Sequence, residues 1–228
     1  MVYPVQPATQ GRRKLEGINE MKRVILLSLF FPFLLVFLCV RLAFTEFFVE
    51  LNYRFGNLPP DQWGMSYEER LSIAKLGLRS VLSDKGMQEF INSGLFREKE
   101  IKHMQDVKEL LSVVFKVLYL GGPLWLILFF SLKDKRKMGL TLLLGATLTE
   151  IFVIFVIIFS LLNYDLLFEA FHNLFFDPYS WRFFDQDMLL RVYPMKFWYN
   201  ATLWVSVVVL ILNSFLQALG FLLWRSTS

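Results

Sequence analysis

The sequence predicts an all-α integral membrane protein with four transmembrane helices, and three observations carry that expectation. Of its 228 residues 55% are hydrophobic, above the roughly 45–50% of a soluble domain, and the mean hydropathy is +0.46. The excess is gathered in four runs, Val24 to Phe44, Leu110 to Leu132, Met138 to Asn163 and Tyr199 to Trp224. Each reaches the ~20 residues that cross ~30 Å of hydrocarbon at ~1.5 Å per residue. Lipid offers no partner to backbone N–H and C=O groups, so such unbroken runs are helices.

The first run follows Arg12, Arg13, Lys14, Lys22 and Arg23, the arrangement of a signal peptide. Arg41, Phe44 and Phe47 stand where a cleavage site needs small residues, so the run reads as a retained anchor. The single cysteine, Cys39, lies inside it and can form neither an intrachain disulfide nor a Cys-rich metal site. A net charge of +4 is no nucleic-acid signal here, because Lys and Arg gather at the ends of the apolar runs, as topology signals do.

Short basic loops mark the cytoplasmic side. The N-terminal basic residues, the Lys133, Lys135, Arg136 and Lys137 cluster, and Arg225 all fall on one side. The reading is therefore a cytoplasmic basic N-terminus, residues 1–23, and one transmembrane domain, residues 24–228, with both termini inside. Two extracytoplasmic segments, 45–109 and 164–198, form an interfacial lid. The first exceeds the ~60 residues over which the charge rule holds; the second carries Arg182, Arg191 and Lys196 against five acids.

In the first segment, Ser66-Tyr67-Glu68-Glu69 is a capping box, a hydroxyl and a carboxylate three residues on that satisfy free N–H groups at a helix start. A helix over about 67–82 follows. Its Leu71, Ala74, Leu78, Val81 and Leu82 share one face, suited to the membrane surface or to the spans. Gly86 and Gly94 read as breaks, and Arg97 to Glu109 as a helix running into the second span. Residues 164–204 hold fourteen Phe, Tyr and Trp, an aromatic belt. There a helix over about Asp165 to Phe176 stops at Pro178, and a loop wraps to Pro194.

Function is sought on the extracytoplasmic side, where both histidines fall. Imidazole, with an ordinary pKa of ~6.5, suits proton transfer near neutral pH. Asp106 lies one turn after His103, and Glu169 one turn before His172; each acid could orient its imidazole. Zinc-protease, Cys-rich, nucleophile-elbow and phosphate-loop motifs are not found. Gly121-Gly122-Pro123 reads as a kink or a close-packing site. Glu150, inside the third run, is either an ion relay or a protonated acid bonded to Asn213, Gln217 or Thr149.

Two stretches are recognisable together. Phe96-Arg97-Glu98 through His103-Met104-x-Asp106-Val107-Lys108 is one. Phe171-His172-x-x-Phe175-Phe176, followed by Trp181-x-Phe183 and Pro194-x-x-Phe197, is the other. In this order, on a four-span frame, they resemble the bacterial lipoprotein intramolecular transacylases (Lit). The resemblance implies a cell-membrane acyltransferase without cofactor or metal. Its partners would be membrane lipids and a diacylglyceryl lipoprotein, whose sn-2 acyl chain moves to the N-terminal amine of its own cysteine. His103 and His172 are then the expected catalytic pair, His103 as base oriented by Asp106, or the reverse assignment. Arg97, Trp181, Arg182 and Arg191 are candidates for holding headgroup or carbonyl oxygens. The competing expectations are a lipid- or partner-binding membrane protein without catalysis, and a transporter built on Glu150.

Overall fold

The computed structural model describes residues 7–226, with side chains from Leu15 onward; the side chains of Arg12, Arg13 and Lys14 lie outside the described residues. The chain runs α1 (Pro7–Ala43), α2 (Glu46–Phe55), α3 (Tyr67–Leu82), α4 (Asp84–Asn92), α5 (Glu98–Lys116), a π turn (Val117–Gly121), α6 (Gly122–Phe130), α7 (Lys135–Leu162), α8 (Tyr164–Phe175), α9 (Met188–Val192) and α10 (Met195–Arg225). Among the described residues every regular element is helical. Four helices are long and apolar enough to cross a membrane, Leu15–Ala43, Glu98–Phe130, Lys135–Leu162 and Met195–Arg225. They coincide with the four apolar runs, each starting before its run and the first three ending one or two residues short of it.

The second span is continuous with the amphipathic helix before it. Gly121 and Gly122 contribute the irregular turn rather than tight packing. A Cβ on Gly122 would meet nothing within 4 Å, and one on Gly121 would make ordinary contact with Leu34. Close packing occurs instead between α7 and α10, where a Cβ on Gly139 would fall 2.6 Å from the Gly220 carbonyl, the small-residue contact that lets membrane helices approach.

Inside the bundle a first core joins Leu27, Phe31 and Leu35 of α1 to Trp125, Leu142, Ala146 and Val209. Its polar groups find backbone acceptors: Trp125 Nε1 donates to Leu27 O at 2.8 Å, Ser28 Oγ to Thr141 O at 3.1 Å and Asn213 Nδ2 to Ala146 O at 3.1 Å. Thr149 donates to Gly145 O. Of the three partners expected for Glu150, Gln217 is the one it meets, at 3.5 Å. Arg41 reaches up from α1 to Tyr119 Oη at 2.8 Å, keeping its guanidinium out of the apolar core.

At one end of the bundle Arg23 meets Ser131, Lys137 meets Glu20, and Arg136 lies over Trp224 at 5.8 Å. The basic ends of α1, α7 and α10 thus converge on one face.

At the opposite end the face of α3 lies, as one of its two expected settings had it, on the spans: Met104 of the second and Phe197 of the fourth share its core. That face is packed into a second hydrophobic core shared by both inter-span segments, in which Ile73, Ala74, Leu78 and Val81 meet Met87, Phe90, Met104, Leu189, Val192, Tyr193 and Phe197. Leu82 stays outside, exposed. Polar ties close this cap: Asn52 Nδ2 donates to Phe197 O at 2.9 Å, Asn200 Nδ2 to Gly56 O at 2.7 Å, Arg70 to Pro59 O at 2.6 Å, and the Tyr53 and Tyr193 hydroxyls to Val192 O and Ala74 O.

Gly86 is not a break. Ser83 ends α3 and caps α4 through its hydroxyl, which accepts from Gly86 N at 2.9 Å. A Cβ at Gly86 would lie 2.0 Å from Arg79 O, so glycine is required there for close approach. Gly94, at φ +67°, does end α4, in a region that side chains with a Cβ avoid.

Candidate active site

The α5 register is set at its start. Glu100 is 1% exposed. Its Oε2 accepts from the N-cap amide of Arg97 at 2.8 Å, and its Oε1 from Leu189 N at 2.6 Å. One carboxylate therefore fastens α5 to α9, across the two inter-span segments. Asp187, also buried, adds a parallel tie: Oδ2 accepts from Phe184 N at 2.8 Å, and Oδ1 forms a 2.7 Å ion pair with Arg97. One turn beyond Glu100 on the same face stands His103, 7% exposed.

From the other side, α8 delivers His172. The two imidazoles lie nearly parallel, centroids 5.9 Å apart and planes at 26°. Aromatic rings enclose them. Phe176 and Phe183 meet His103 edge-on at 5.0 and 5.4 Å, while Phe168 and Trp181 lie 3.9 and 4.9 Å from His172.

Two nitrogens define what the pair can do. His172 Nδ1 lies 2.8 Å from the Phe168 carbonyl. A carbonyl only accepts, so Nδ1 carries the proton and the lone pair of the neutral ring is at Nε2. By contrast, His103 Nδ1 and Trp181 Nε1 are buried without a protein partner, open to a ligand's polar atom. Burial in the aromatic cage pushes the His172 pKa below its ordinary value, opposed by the bond to Phe168.

The acids expected to orient the imidazoles are engaged elsewhere. Asp106 pairs with Lys102 at 2.6 Å, the i,i+4 partner that its position on α5 favours. Glu169 pairs with Arg182 at 2.9 Å, so neither carboxylate holds a histidine. Arg182 also lies over Trp181 at 5.3 Å, at the rim of the cage.

Arg191 is further away in role. It forms a two-pronged bond with Asp61 at 2.9 and 3.0 Å. That bond, helped by the amides of Met65 and Trp63, pulls the Asp61 carboxyl down to about 2. It is a structural tie between the two inter-span segments. Asn200 is buried against Asn52 and Gly56. Among the described residues no group of three or more His, Cys, Asp or Glu is gathered that could hold a metal ion.

A four-helix membrane bundle with a capped histidine pair at one end defines a multi-pass integral membrane protein. The profile of the family "Lipoprotein intramolecular transacylase Lit" matches residues 25–198. An uncharacterized protein of Aquifex aeolicus is 42% identical over 190 residues, covering 81% of this chain and 86% of that one. The chain belongs to the lipoprotein intramolecular transacylase family. In fold it is similar to the in meso structure of the Bacillus cereus transacylase Lit, with a TM-score of 0.75 at 19% identity over 92% of this chain and 98% of that one. A histidine-to-arginine variant of the same enzyme gives a TM-score of 0.66 at 19% identity over 96% and 98%. Family and fold together make it a bacterial multi-pass membrane protein of the transacylase type.

Proposed function

We propose that the chain moves the sn-2 acyl group of a diacylglyceryl-cysteine lipoprotein onto the α-amine of the same cysteine. The supporting observation is the bond from His172 Nδ1 to the Phe168 carbonyl, which fixes a free Nε2 lone pair inside an aromatic cage. It favours the reverse of the first assignment: His172 is the base.

The amine nitrogen attacks the sn-2 ester carbonyl, and its proton passes to His172 Nε2. The tetrahedral oxyanion is met by donors from the two unpartnered nitrogens, His103 Nδ1 and Trp181 Nε1. Collapse breaks the bond to the sn-2 glyceryl oxygen, which takes the proton from the His172 imidazolium. An N-acyl, S-monoacylglyceryl product leaves, and both histidines return to their starting states. Amine and ester belong to one molecule, so orientation in the cage converts a proximity already present into rate. The convergence of basic helix ends on the opposite face supports a cytoplasmic location for that face and both termini, with the site on the extracytoplasmic side.

The test is mass spectrometry of a diacylated lipopeptide incubated with the protein in vesicles. An N-acylated, S-monoacylglyceryl peptide is the expected product. An unchanged diacyl peptide would overturn the reaction and favour a lipid-binding role for the aromatic cage.

Protonation gives a second expected result. With its pKa lowered, the folded His172 ring carries less proton at pH 6.5 than the unfolded one. Well above pH 6.5 the ring is neutral in both states, and the shift has no effect on stability. As pH falls below 6.5 the unfolded chain takes the proton first, so stability declines until the folded midpoint is passed. An NMR titration of ring nitrogens, assigned by a His172→Gln control, should give a midpoint below 6.5; a midpoint at or above that value contradicts the burial argument.

A further inference from the structure

A groove of about 730 Å³ lies outside the cage, between α5 and the end of α8, and neither histidine lines it. Its volume lies within the ~300–1,000 Å³ of small-ligand sites. One wall is a stripe along α5 that changes character with depth, from Lys99, Lys102 and Asp106 to Leu110 and Val113. The apolar end begins where the hydrocarbon-spanning run begins. From the level of His103 to that of Val113 the wall descends about 15 Å. The other wall is Phe175 and Phe176.

Phe176 connects groove and cage. It lines the groove and also stands 5.0 and 5.5 Å from the His103 and His172 rings. A chain lying in the groove with its tail toward the bilayer has its carbonyl end at Phe176, one ring's width from the imidazoles.

Charge decides between lipids. The lining holds two cations against the three acids Asp106, Glu109 and Asp177. Both cations are engaged: Lys102 with Asp106, and Lys99 with the Arg182 carbonyl and the Phe183 face. Such a lining repels a phosphate and suits an uncharged glyceryl ester.

We infer that this groove is the subsite for the migrating acyl chain of the diacylglyceryl substrate, with Phe176 the wall between chain and dyad and Val113 a lining residue at its membrane end. The inference rests on the transacylase reading, and names the part of the substrate that the groove takes.

The experiment uses the full chain in vesicles with two synthetic lipopeptides, S-dipalmitoylglyceryl and S-dibutyrylglyceryl, and measures N-acylation by mass spectrometry. Val113→Trp obstructs the membrane end of the groove and should lower the palmitoyl rate by about tenfold or more, the scale on which an apolar pocket discriminates, while leaving the rate with the short butyryl chain, which does not extend that far, close to native. Leu174→Trp, on an exposed α8 position outside the groove, should change neither. Equal effects of Val113→Trp on both substrates, or none, overturn the inference.

A second arm is independent of turnover. A dipalmitoyl lipopeptide with a diazirine near the chain end should label residues 110–113 or Phe175, and Val113→Trp should abolish that label. Labelling confined to other elements overturns the subsite, as does equal labelling of these residues by a phosphatidylethanolamine carrying the same diazirine. If the native chain labels here yet transfers no acyl group from either lipopeptide, the transacylase reading fails while the groove stands as a diacylglyceryl-binding site.

Discussion

Replacing His172 by alanine should lower N-acylation of a diacyl lipopeptide by about 10²–10⁴-fold, the range contributed by a positioned acid–base group. Three facts set the expectation: the Nε2 lone pair fixed by the Phe168 carbonyl, the 5.9 Å spacing of the rings and the enclosing aromatics. Without an imidazole here, His103 alone would have to serve the oxyanion and accept the amine proton at once. Glu169, one turn away, is bound to Arg182. His103→Ala should have an effect of the same order by removing a donor to the oxyanion, at about the cost of one such donor elsewhere.

The two variants are separable by substrate. A more activated ester, such as a thioester analogue, relieves the demand for oxyanion stabilisation more than that for a base. It should therefore recover more of the loss in His103→Ala than in His172→Ala. Full product formation by either inserted variant on the native ester would exclude that histidine, and equal recovery by the thioester would remove the division of roles.

The four spans were legible because a helix must be ~20 apolar residues long to cross the hydrocarbon, and that length is written in the composition of each run. So was α3, where Ser66 accepts from Glu69 N at 3.2 Å, the hydroxyl half of the expected capping box. Three helices were not, among them the short α9, Met188–Val192, which falls in the stretch read as a loop to Pro194. The stretch Glu46–Phe55 mixes aromatic and charged residues, and its start is marked by Thr45, whose hydroxyl accepts from Phe48 N at 3.3 Å. In α4 the glycine at 86 carries the statistics of a breaker, but the need it meets is room beside Arg79 O.

Both histidines could be named from their chemistry and the family resemblance. Their partners could not be read from local spacing. Helical spacing offers Asp106 to Lys102 as readily as to His103, and the longer lysine takes it. Glu169 is drawn to Arg182 across a loop of which the sequence gives no geometry. The approach of His103 to His172 joins helices far apart in the chain, a consequence of the folded cap rather than of periodicity. Glu100 went unnoticed although a signal was present: it follows the helix start by three residues, as a capping carboxylate does, and precedes His103 by one turn on the same face.

That carboxylate carries the largest stability effect expected in the cap. Glu100 is 1% exposed and accepts from two backbone amides, Arg97 N on α5 and Leu189 N on α9. Bonds to a charged acceptor contribute about 1.5–3 kcal/mol each, and removing the acceptor leaves its donors short of partners. Glu100→Ala should therefore destabilise the cap by about 3 kcal/mol or more, seen as a lower thermal midpoint in detergent and faster proteolysis between Trp181 and Arg191. Glu100→Gln keeps one carbonyl oxygen but turns an NH2 group toward the second amide, so its loss should be intermediate. The bundle core shares no residue with the cap core, and both variants should still insert as four-span proteins. Because His103 lies one turn from the lost anchor, acyl transfer by Glu100→Ala should fall even at temperatures where the spans are intact. A variant that melts and resists protease like the native chain would show that α9 is held to α5 by the Arg97–Asp187 pair instead.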